Sequence, residues 1–162
     1  MKRELLTIEL VPKTSWYHNV RSIVSKEDWD RLRKLIYSRA GHVCEICGGR
    51  GERWPVECHE MFDYDDEHRI QKLVRLIALC PSCHEVKHIG LAGVRGRQGA
   101  AVSHLAKVNN WTIKDTRLYI EGCFEIWHRR SRHPWSLDLS YLKQFGITVA
   151  PVLPPATRAK SD

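Results

Sequence analysis

Residues 80–88 read Cys-Pro-Ser-Cys-His-Glu-Val-Lys-His, and an earlier stretch, residues 44–47, reads Cys-Glu-Ile-Cys. Each stretch contains a Cys-x-x-Cys pair, and two such pairs supply the four thiolates of one tetrahedral zinc site. The long gap between the pairs only lengthens the hairpin between them. A site closed by four thiolates has no open position, so it stabilises the fold and takes no part in catalysis. The sequence therefore predicts a structural zinc bound by Cys44, Cys47, Cys80 and Cys83.

A second group of metal-binding side chains adjoins the first. The second cysteine pair continues into His84 and His88, which share one helical face because they lie four residues apart. His59 lies between the pairs, with Glu57 and Glu60 beside it. Phosphodiester hydrolysis needs a base that activates water and a divalent cation that neutralises charge on the phosphate. A lone histidine is usually a core or surface residue, but three of them bracketed by a zinc site indicate catalysis.

The composition favours a polyanionic partner. The chain has 162 residues, of which 43% are hydrophobic, and a formal net charge of +7 at pH 7. That length suits one compact domain or a small core with extensions. Lys and Arg displace counterions from phosphates, so a basic balance of this size fits nucleic acid. A merely basic soluble protein would have the same composition.

Targeting signals are not recognisable in the sequence. No apolar run reaches the ~18 residues of a membrane span. The short apolar stretch that follows the charged start is broken by Glu9 and Pro12, unlike a signal peptide. We therefore expect a cytoplasmic protein without membrane contact, whose cysteines bind metal instead of forming disulfides. Cys58 and Cys123 are left outside the two pairs.

Strand and helix signals both occur along the chain, and we expect an α+β fold. Residues 5–11 and 137–141 read as short strands, and residues 53–61 read as extended. Residues 70–79 are apolar, and periodicity alone does not decide between strand and helix. We favour a strand at the end of this segment, because it must deliver Cys80 to the zinc.

Helical spacing and cap residues predict four helices. Ser25 is expected to cap a helix that runs to about residue 40, and Ser82 with Glu85 matches the capping-box pattern of a short helix. Two more helices are predicted at 100–109 and 113–130, the second capped by Thr112. Loops are predicted at 63–67, which is acidic, and around 90–99, which is basic and rich in glycine. A Pro-rich, disordered tail is expected from residue 151.

The order of these motifs resembles the zinc-bound HNH endonucleases. Residues 41–92 carry the resemblance, through Cys-x-x-Cys, a histidine in an extended segment, and Leu-Cys-x-x-Cys-His-x-x-x-His at 79–88. The resemblance implies a zinc-stapled, treble-clef-like ββα-metal core that binds one divalent ion, Mg²⁺, Mn²⁺ or another. By position it implies His59 as the general base and His84 as a ligand of that ion, with His88 as a further ligand.

Two alternatives concern the base. Cys58 stands where the family places a metal-binding Asp, His or Glu, and cysteine is a poor magnesium ligand. In one alternative His59 is the ligand and Glu60 the base. In another Glu57 contributes, although it would share a strand face with His59.

A second departure is Arg75, which stands where the family has an asparagine that fixes the loop of the base. Gln71 or Asn19 are the candidates to replace it from elsewhere in the chain.

Around the core, the division of the chain is predicted as 1–40, an N-terminal strand and helix that support the core; 41–92, the zinc core; 93–150, a helical extension with a basic run; and 151–162, the tail. Five arginines are the candidates for gripping backbone phosphates without reading sequence: Arg95, Arg97, Arg129, Arg130 and Arg132.

The first hypothesis is a metal-dependent HNH-type endonuclease whose partner is DNA. One site per chain predicts nicking unless a homodimer or a partner protein brings two sites together. The second is a zinc-stapled nucleic-acid-binding module that cuts nothing, and the third is an adaptor in a phage, mobile-element or defence assembly.

Overall fold

The computed structural model describes residues 4–15 and 18–154, and their architecture is α+β. A three-stranded sheet has the order β1 (Glu57–Asp65), β2 (Ile70–Leu79) and β3 (Ser136–Asp138), with β1 antiparallel to β2 and β2 parallel to β3. The helices are α1 (Val20–Ile23), α2 (Lys26–Arg39), α3 (Pro81–Lys87), α4 (Ile89–Val94), α5 (Gln98–Asn109), α6 (Ile113–Arg130) and a 3₁₀ helix (Ser140–Phe145).

The β1–β2 hairpin divides the interior into two hydrophobic clusters. Successive side chains of a strand point to opposite faces. Ile77 and Leu79 of β2 therefore belong to a cluster with α3, α5 and α6, whereas Leu76 and Ala78 belong to one with α2 and β3. The register pairs His59 with Ile77, so the histidine lies on the α3 side of the sheet.

The hairpin is longer than the sequence indicated. The acidic loop predicted at 63–67 is wrong in part, because β1 continues to Asp65. Asp63 and Asp65 are exposed while Tyr64 between them is half-buried against Trp135, so the acidic residues occupy the solvent face of a strand. Residues 70–79 are strand throughout, as favoured for their final part.

The N-terminal strand predicted at 5–11 is wrong. The segment lies between α3 and the C-terminal helices, and side chains from those helices pair with several of its backbone groups where a strand would have a neighbouring strand. The Asn109 amide pairs with both Leu6 N–H and Leu6 C=O at 2.8 Å, and Ile8 N–H donates to the Tyr119 hydroxyl at 3.0 Å. Glu9 N–H donates to Lys87 C=O at 3.1 Å, which places Glu9 beside α3.

Two predicted helices are confirmed with their caps. The Ser25 hydroxyl accepts Asp28 N–H at 3.1 Å at the start of α2, and the Thr112 hydroxyl accepts Asp115 N–H at 3.0 Å at the start of α6. The capping box at Ser82 is wrong, because α3 begins two residues earlier than a Ser82 cap requires, at Pro81 with Cys80 as its N-cap.

Proline at the first position of α3 explains this earlier start. Pro81 has the backbone angle that a first helical residue needs and no N–H to leave unpaired, so Cys80 becomes the N-cap. The Cys80 side chain makes no capping hydrogen bond, so it is available to the cysteine cluster.

The region after α3 also differs from prediction. Residues 89–94 form α4 and α5 begins at residue 98, so the basic glycine loop shrinks to residues 95–97. The strand predicted at 137–141 is limited to β3, after which the chain enters the 3₁₀ helix. Of the predicted tail, Val152 bridges to Leu137, and residues 155–162 lie outside the described part. Among the described helices, none has the length and apolar character that a membrane crossing requires.

Candidate metal centres

Four cysteines converge where β2 enters α3. Their Sγ atoms all lie within 4.8 Å of one another. Cys47 Sγ and Cys80 Sγ are 3.6 Å apart, close to the ~3.8 Å separation of two thiolates on a tetrahedral zinc with Zn–S distances of ~2.3 Å. The predicted four-cysteine cluster, able to hold a structural metal such as zinc, is confirmed; its members are Cys44, Cys47, Cys80 and Cys83.

Backbone and imidazole groups surround these thiolates. Gly49 N–H donates to Cys47 Sγ at 3.3 Å. Gly48 has a φ of +74°, which favours glycine. His104 of α5 lies with Nε2 3.2 Å from Cys83 Sγ. Sequence reasoning missed His104, because no spacing rule links it to the cysteine pairs and only the packing of α5 on α3 brings it there.

The two remaining cysteines lie outside this cluster. Cys58 packs on the β1 face opposite His59, and burial raises the pKa of its thiol to about 12. Cys123 of α6 is half-buried, and burial raises its pKa too. Both thiols therefore stay protonated at neutral pH, which makes them poor metal ligands.

Three imidazoles form a second cluster on the α3 side of the hairpin. His59 comes from β1, His84 from α3, and His88 from the residue that ends α3. One ligand nitrogen from each lies within 4.8 Å of the others, and their ring centroids are 4.8–5.2 Å apart. They line a cleft of about 260 Å³. The structure thus brings together the three histidines that the sequence singled out.

Glu57 orients His84. Its Oε2 accepts the Nδ1–H of His84 at 2.6 Å, and its Oε1 accepts the indole N–H of Trp54 at 2.8 Å. The hydrogen bond from His84 holds the pKa of Glu57 below its usual range. Because a carboxylate only accepts, Nδ1 carries the proton and Nε2 presents its lone pair. A carboxylate behind an imidazole in this way is the usual partner of a metal-binding histidine.

His88 completes a ligand pair. Its Nε2 lies 3.2 Å from the Nε2 of His84. Two nitrogens bound to one ion at ~2.1 Å are separated by ~3.0–3.4 Å for angles between 90° and 109°. Burial lowers the pKa of His88 to about 3, so its ring is neutral and keeps a lone pair for a metal. The spacing and the charge state both suit a shared ion.

His59 is held by Glu9. The ring is 4% exposed, and its Nε2–H donates to Glu9 Oε2 at 2.7 Å. Nδ1 therefore has the free lone pair. Burial lowers the pKa of His59, against the opposing effect of Glu9. A neutral imidazole with one fixed nitrogen can either bind a metal or accept a proton.

Glu9 is itself held by a buried lysine. The Lys87 side chain is 1% exposed, and its Nζ contacts Glu9 Oε1 at 3.0 Å and Thr7 Oγ1 at 2.8 Å. Burial by itself would raise the pKa of Glu9, but the bond from His59 and the charge of Lys87 hold it below its usual range. Sequence reasoning missed both residues. The available signal was Glu9 itself, a charge inside the apolar run 5–11.

Glu60, the rival candidate for the base, lies close by. It leaves β1 on the face opposite His59 but lines the same cleft. Its Oε1 accepts the N–H of Val20 at the start of α1, and burial raises its pKa to about 7. Glu57, the other alternative, is engaged by His84 and Trp54.

Arg75 forms ion pairs with two glutamates from different segments of the chain. Its guanidinium lies 3.1 Å from both Glu4 Oε2 and Glu45 Oε1, so it ties the N-terminal segment to the first cysteine pair. Neither proposed substitute contacts His59 by a hydrogen bond. Gln71 is fully buried with its amide atoms unpaired, and Asn19 caps α1.

The candidate phosphate-binding arginines divide into three groups. Arg95 lines a cleft beside His84 and His88. Arg97 is paired with Glu85 at 2.6 Å, and Arg130 makes two contacts to Asp66, at 2.8 and 2.9 Å, so both are already engaged. The remaining two are exposed near the end of α6: Arg129 and Arg132.

We expect Glu9→Ala to lower the free energy of unfolding by about 3–5 kcal/mol, because it leaves the buried Lys87 ammonium without its counter-charge. Urea denaturation of the zinc-loaded protein measures this. Glu9→Ala combined with Lys87→Met should recover much of the loss. Glu85→Ala removes the exposed pair with Arg97 and should cost at most about 1 kcal/mol. A loss in Glu9→Ala no larger than in Glu85→Ala would contradict the buried ion pair.

Searches against protein-family models, curated proteins and solved structures found no match to this chain.

Proposed function

We propose that this protein is a metal-dependent endonuclease of the HNH type that hydrolyses DNA phosphodiester bonds. The observation that carries the proposal is the convergence of His59, His84 and His88 beside a cluster of four cysteines. The β1–β2 hairpin followed by α3 has the element order of a ββα-metal core, and it delivers all three imidazoles. The net charge of +7 supports a polyanionic substrate.

His84 and His88 are assigned as ligands of a catalytic divalent ion. Their nitrogens have the spacing of two ligands on one ion, and Glu57 fixes the orientation of His84. When bound, such an ion supplies positive charge to the scissile phosphate and the leaving oxygen. Imidazole donors suit transition metals such as Zn²⁺ or Ni²⁺, and Mg²⁺ prefers oxygen. We therefore expect a transition-metal ion, Mn²⁺ included, to support activity better than Mg²⁺.

His59 fits two roles. Glu9 holds its Nε2, so Nδ1 can take a proton from water in one role or bind the ion in the other. In the second role Glu60, which lines the same cleft, is the base. The two roles differ in whether the ion still binds when His59 is removed.

Plasmid cleavage tests the proposed function. We expect the zinc-loaded protein to relax supercoiled plasmid when Mn²⁺, Ni²⁺ or Zn²⁺ is added, with Mg²⁺ weaker, and to leave it intact when no ion beyond the structural zinc is supplied. No cleavage of plasmid or of a single-stranded oligonucleotide with any of these ions, by protein shown to hold its structural zinc, would refute a nuclease.

His59→Ala and Glu60→Gln separate the two roles in the same assay. If His59 is the base, His59→Ala binds the added ion normally and cleavage falls by roughly 10²–10⁴-fold. If His59 is a ligand, the affinity for the ion falls as well, and Glu60→Gln then loses cleavage while still binding it. Calorimetric titration of the ion provides the second readout.

The second candidate is a zinc-stapled nucleic-acid-binding module without cleavage. It is favoured by Cys58 and Arg75, the two residues that depart from the motif. Cys58 is buried away from His59, and Arg75 links Glu4 to Glu45. Salt-dependent DNA binding without cleavage in any metal would establish this function. An adaptor role would require neither DNA binding nor cleavage.

A further inference from the structure

A cleft lies between α2 and the start of β1, immediately beside the three imidazoles. Its volume is about 670 Å³, within the range of pockets that enclose organic ligands. Glu57 and His84 belong to its wall, and the same two residues border the smaller cleft that contains Arg95. The two clefts therefore meet at His84. A nucleic-acid strand that passes over the three imidazoles would extend into both clefts.

Cations dominate the α2 side. Lys26 and Arg33 share Asp30, at 3.3 and 2.8 Å. Arg21 is exposed and makes no hydrogen bond or ion pair with any residue in 4–15 or 18–154. It lines both the α2 cleft and the cleft of the imidazoles. A cation at this junction that has no carboxylate partner in the described part of the chain is available to a phosphate next to the one at His84.

Two aromatic residues share this cleft with the cations. Trp29 and Tyr37 of α2 are half-buried, and both line it. Aromatic rings interleaved with cations are typical of sites for unpaired nucleotides, since every base has a face that can stack.

The recessed position of the three imidazoles also restricts which nucleotides can reach them. His59 is 4% exposed and the His84 side chain 25%, so the ligand nitrogens are recessed between the hairpin and α2. A nucleotide stacked inside a duplex is held away from such a cleft, whereas an unpaired nucleotide can leave the stack at little cost.

We propose that the α2 cleft binds an unpaired nucleotide of the substrate strand, with Arg21 on its phosphate, so that single-stranded DNA is the preferred substrate. This inference rests on the proposed function for its orientation relative to His84. The binding itself is measurable whether or not the protein cleaves.

Fluorescence anisotropy of the zinc-loaded full chain, with no other divalent ion added, tests the inference. The probes are a labelled thymidine oligonucleotide and the blunt duplex that it forms with its complement. The variants are Arg21→Gln and, as a control of equal charge change, Lys34→Gln, an exposed residue of α2 that does not line the cleft.

We expect the single strand to bind at least about tenfold more tightly than the duplex. Arg21→Gln should weaken single-strand binding about tenfold and reduce the slope of log affinity against log salt by about 0.7, the value of one phosphate contact. Lys34→Gln should change affinity by no more than about twofold, because screened surface charges act weakly at a distance.

Equal affinity for both probes, or an Arg21→Gln variant that matches Lys34→Gln, would overturn the inference. The proposed nuclease activity and the proposed subsite can each be refuted without the other. A protein that binds the single strand through Arg21 but cleaves neither plasmid nor the single strand with any added ion retains this subsite and loses the nuclease. A protein that cleaves plasmid but shows neither effect retains the nuclease and loses the subsite.

Discussion

His84→Ala is expected to lower the rate of DNA cleavage by on the order of 10³-fold or more, since the charge that a bound ion supplies is worth several kcal/mol. His84 is the imidazole that Glu57 fixes, and its Nε2 lies 3.2 Å from the Nε2 of His88. Without this ring, the proposed ion would have fewer donors. Rates of plasmid relaxation at saturating metal, measured beside the affinity for the ion, show the loss.

Two further variants make this result specific. Glu57→Gln keeps the ring of His84 but weakens its support, so metal affinity or activity should fall by roughly 10–100-fold. His68→Ala removes an exposed histidine paired with Asp65 at the far end of the hairpin, and activity should be unchanged. Cleavage by His84→Ala at the rate of His68→Ala would show that the ion is bound elsewhere.

Cys83→Ser is expected to unfold the protein at ambient temperature. Structural zinc sites contribute on the order of 10–16 kcal/mol in small domains, whereas a whole domain is stable by only about 5–15 kcal/mol. Cys83 is fully buried among α3, α5 and β2, and its Sγ contacts His104. Loss of one thiolate therefore removes most of the stabilisation in this region.

Circular dichroism and zinc content measure this outcome. Cys83→Ser should contain less zinc and show no cooperative thermal transition, and a strong chelator should have the same effect on the unmodified protein. Cys123→Ser is the matched control, because that thiol is half-buried outside the cluster and its loss should cost about 1 kcal/mol or less. A Cys83→Ser protein as stable as Cys123→Ser would mean that the cluster holds no structural metal.

Local patterns predicted the parts of the fold in which neighbouring residues decide the outcome. The cap and apolar spacing after Ser25 and after Thr112 led to α2 and α6, and the cysteine pairs led to the thiolate cluster. The histidine spacing at 84 and 88 led to two of the three imidazoles. These signals depend on residues within a few positions of one another.

Long-range contacts explain the errors. Residues 5–11 have the composition of a strand, but Asn109 and Tyr119 occupy their backbone groups from distant helices. Glu9 reaches His59 only because that segment lies beside α3, and Lys87 is buried within a motif whose two histidines line the cleft. Such pairings have no signature in a single sequence.

The charged surface was the least predictable feature. Runs of arginine indicated phosphate binding, yet Arg97 and Arg130 are paired with Glu85 and Asp66. Arg21, an isolated cation in the sequence, lies without a carboxylate partner among the described residues and lines two clefts. Partner choice depends on which carboxylates the fold brings near, and composition does not report it.

The proposed nuclease depends on a divalent ion held at the imidazole cluster, with His84 and His88 as ligands in either role of His59. The most direct measurement is the number of metal ions bound per chain, with plasmid cleavage recorded on the same samples, for the unmodified protein and for His84→Ala. We expect two ions and cleavage in the unmodified protein, and one ion with cleavage lost in His84→Ala. One ion per unmodified chain under cleaving conditions, or full cleavage by a His84→Ala protein that holds a single ion, would contradict it.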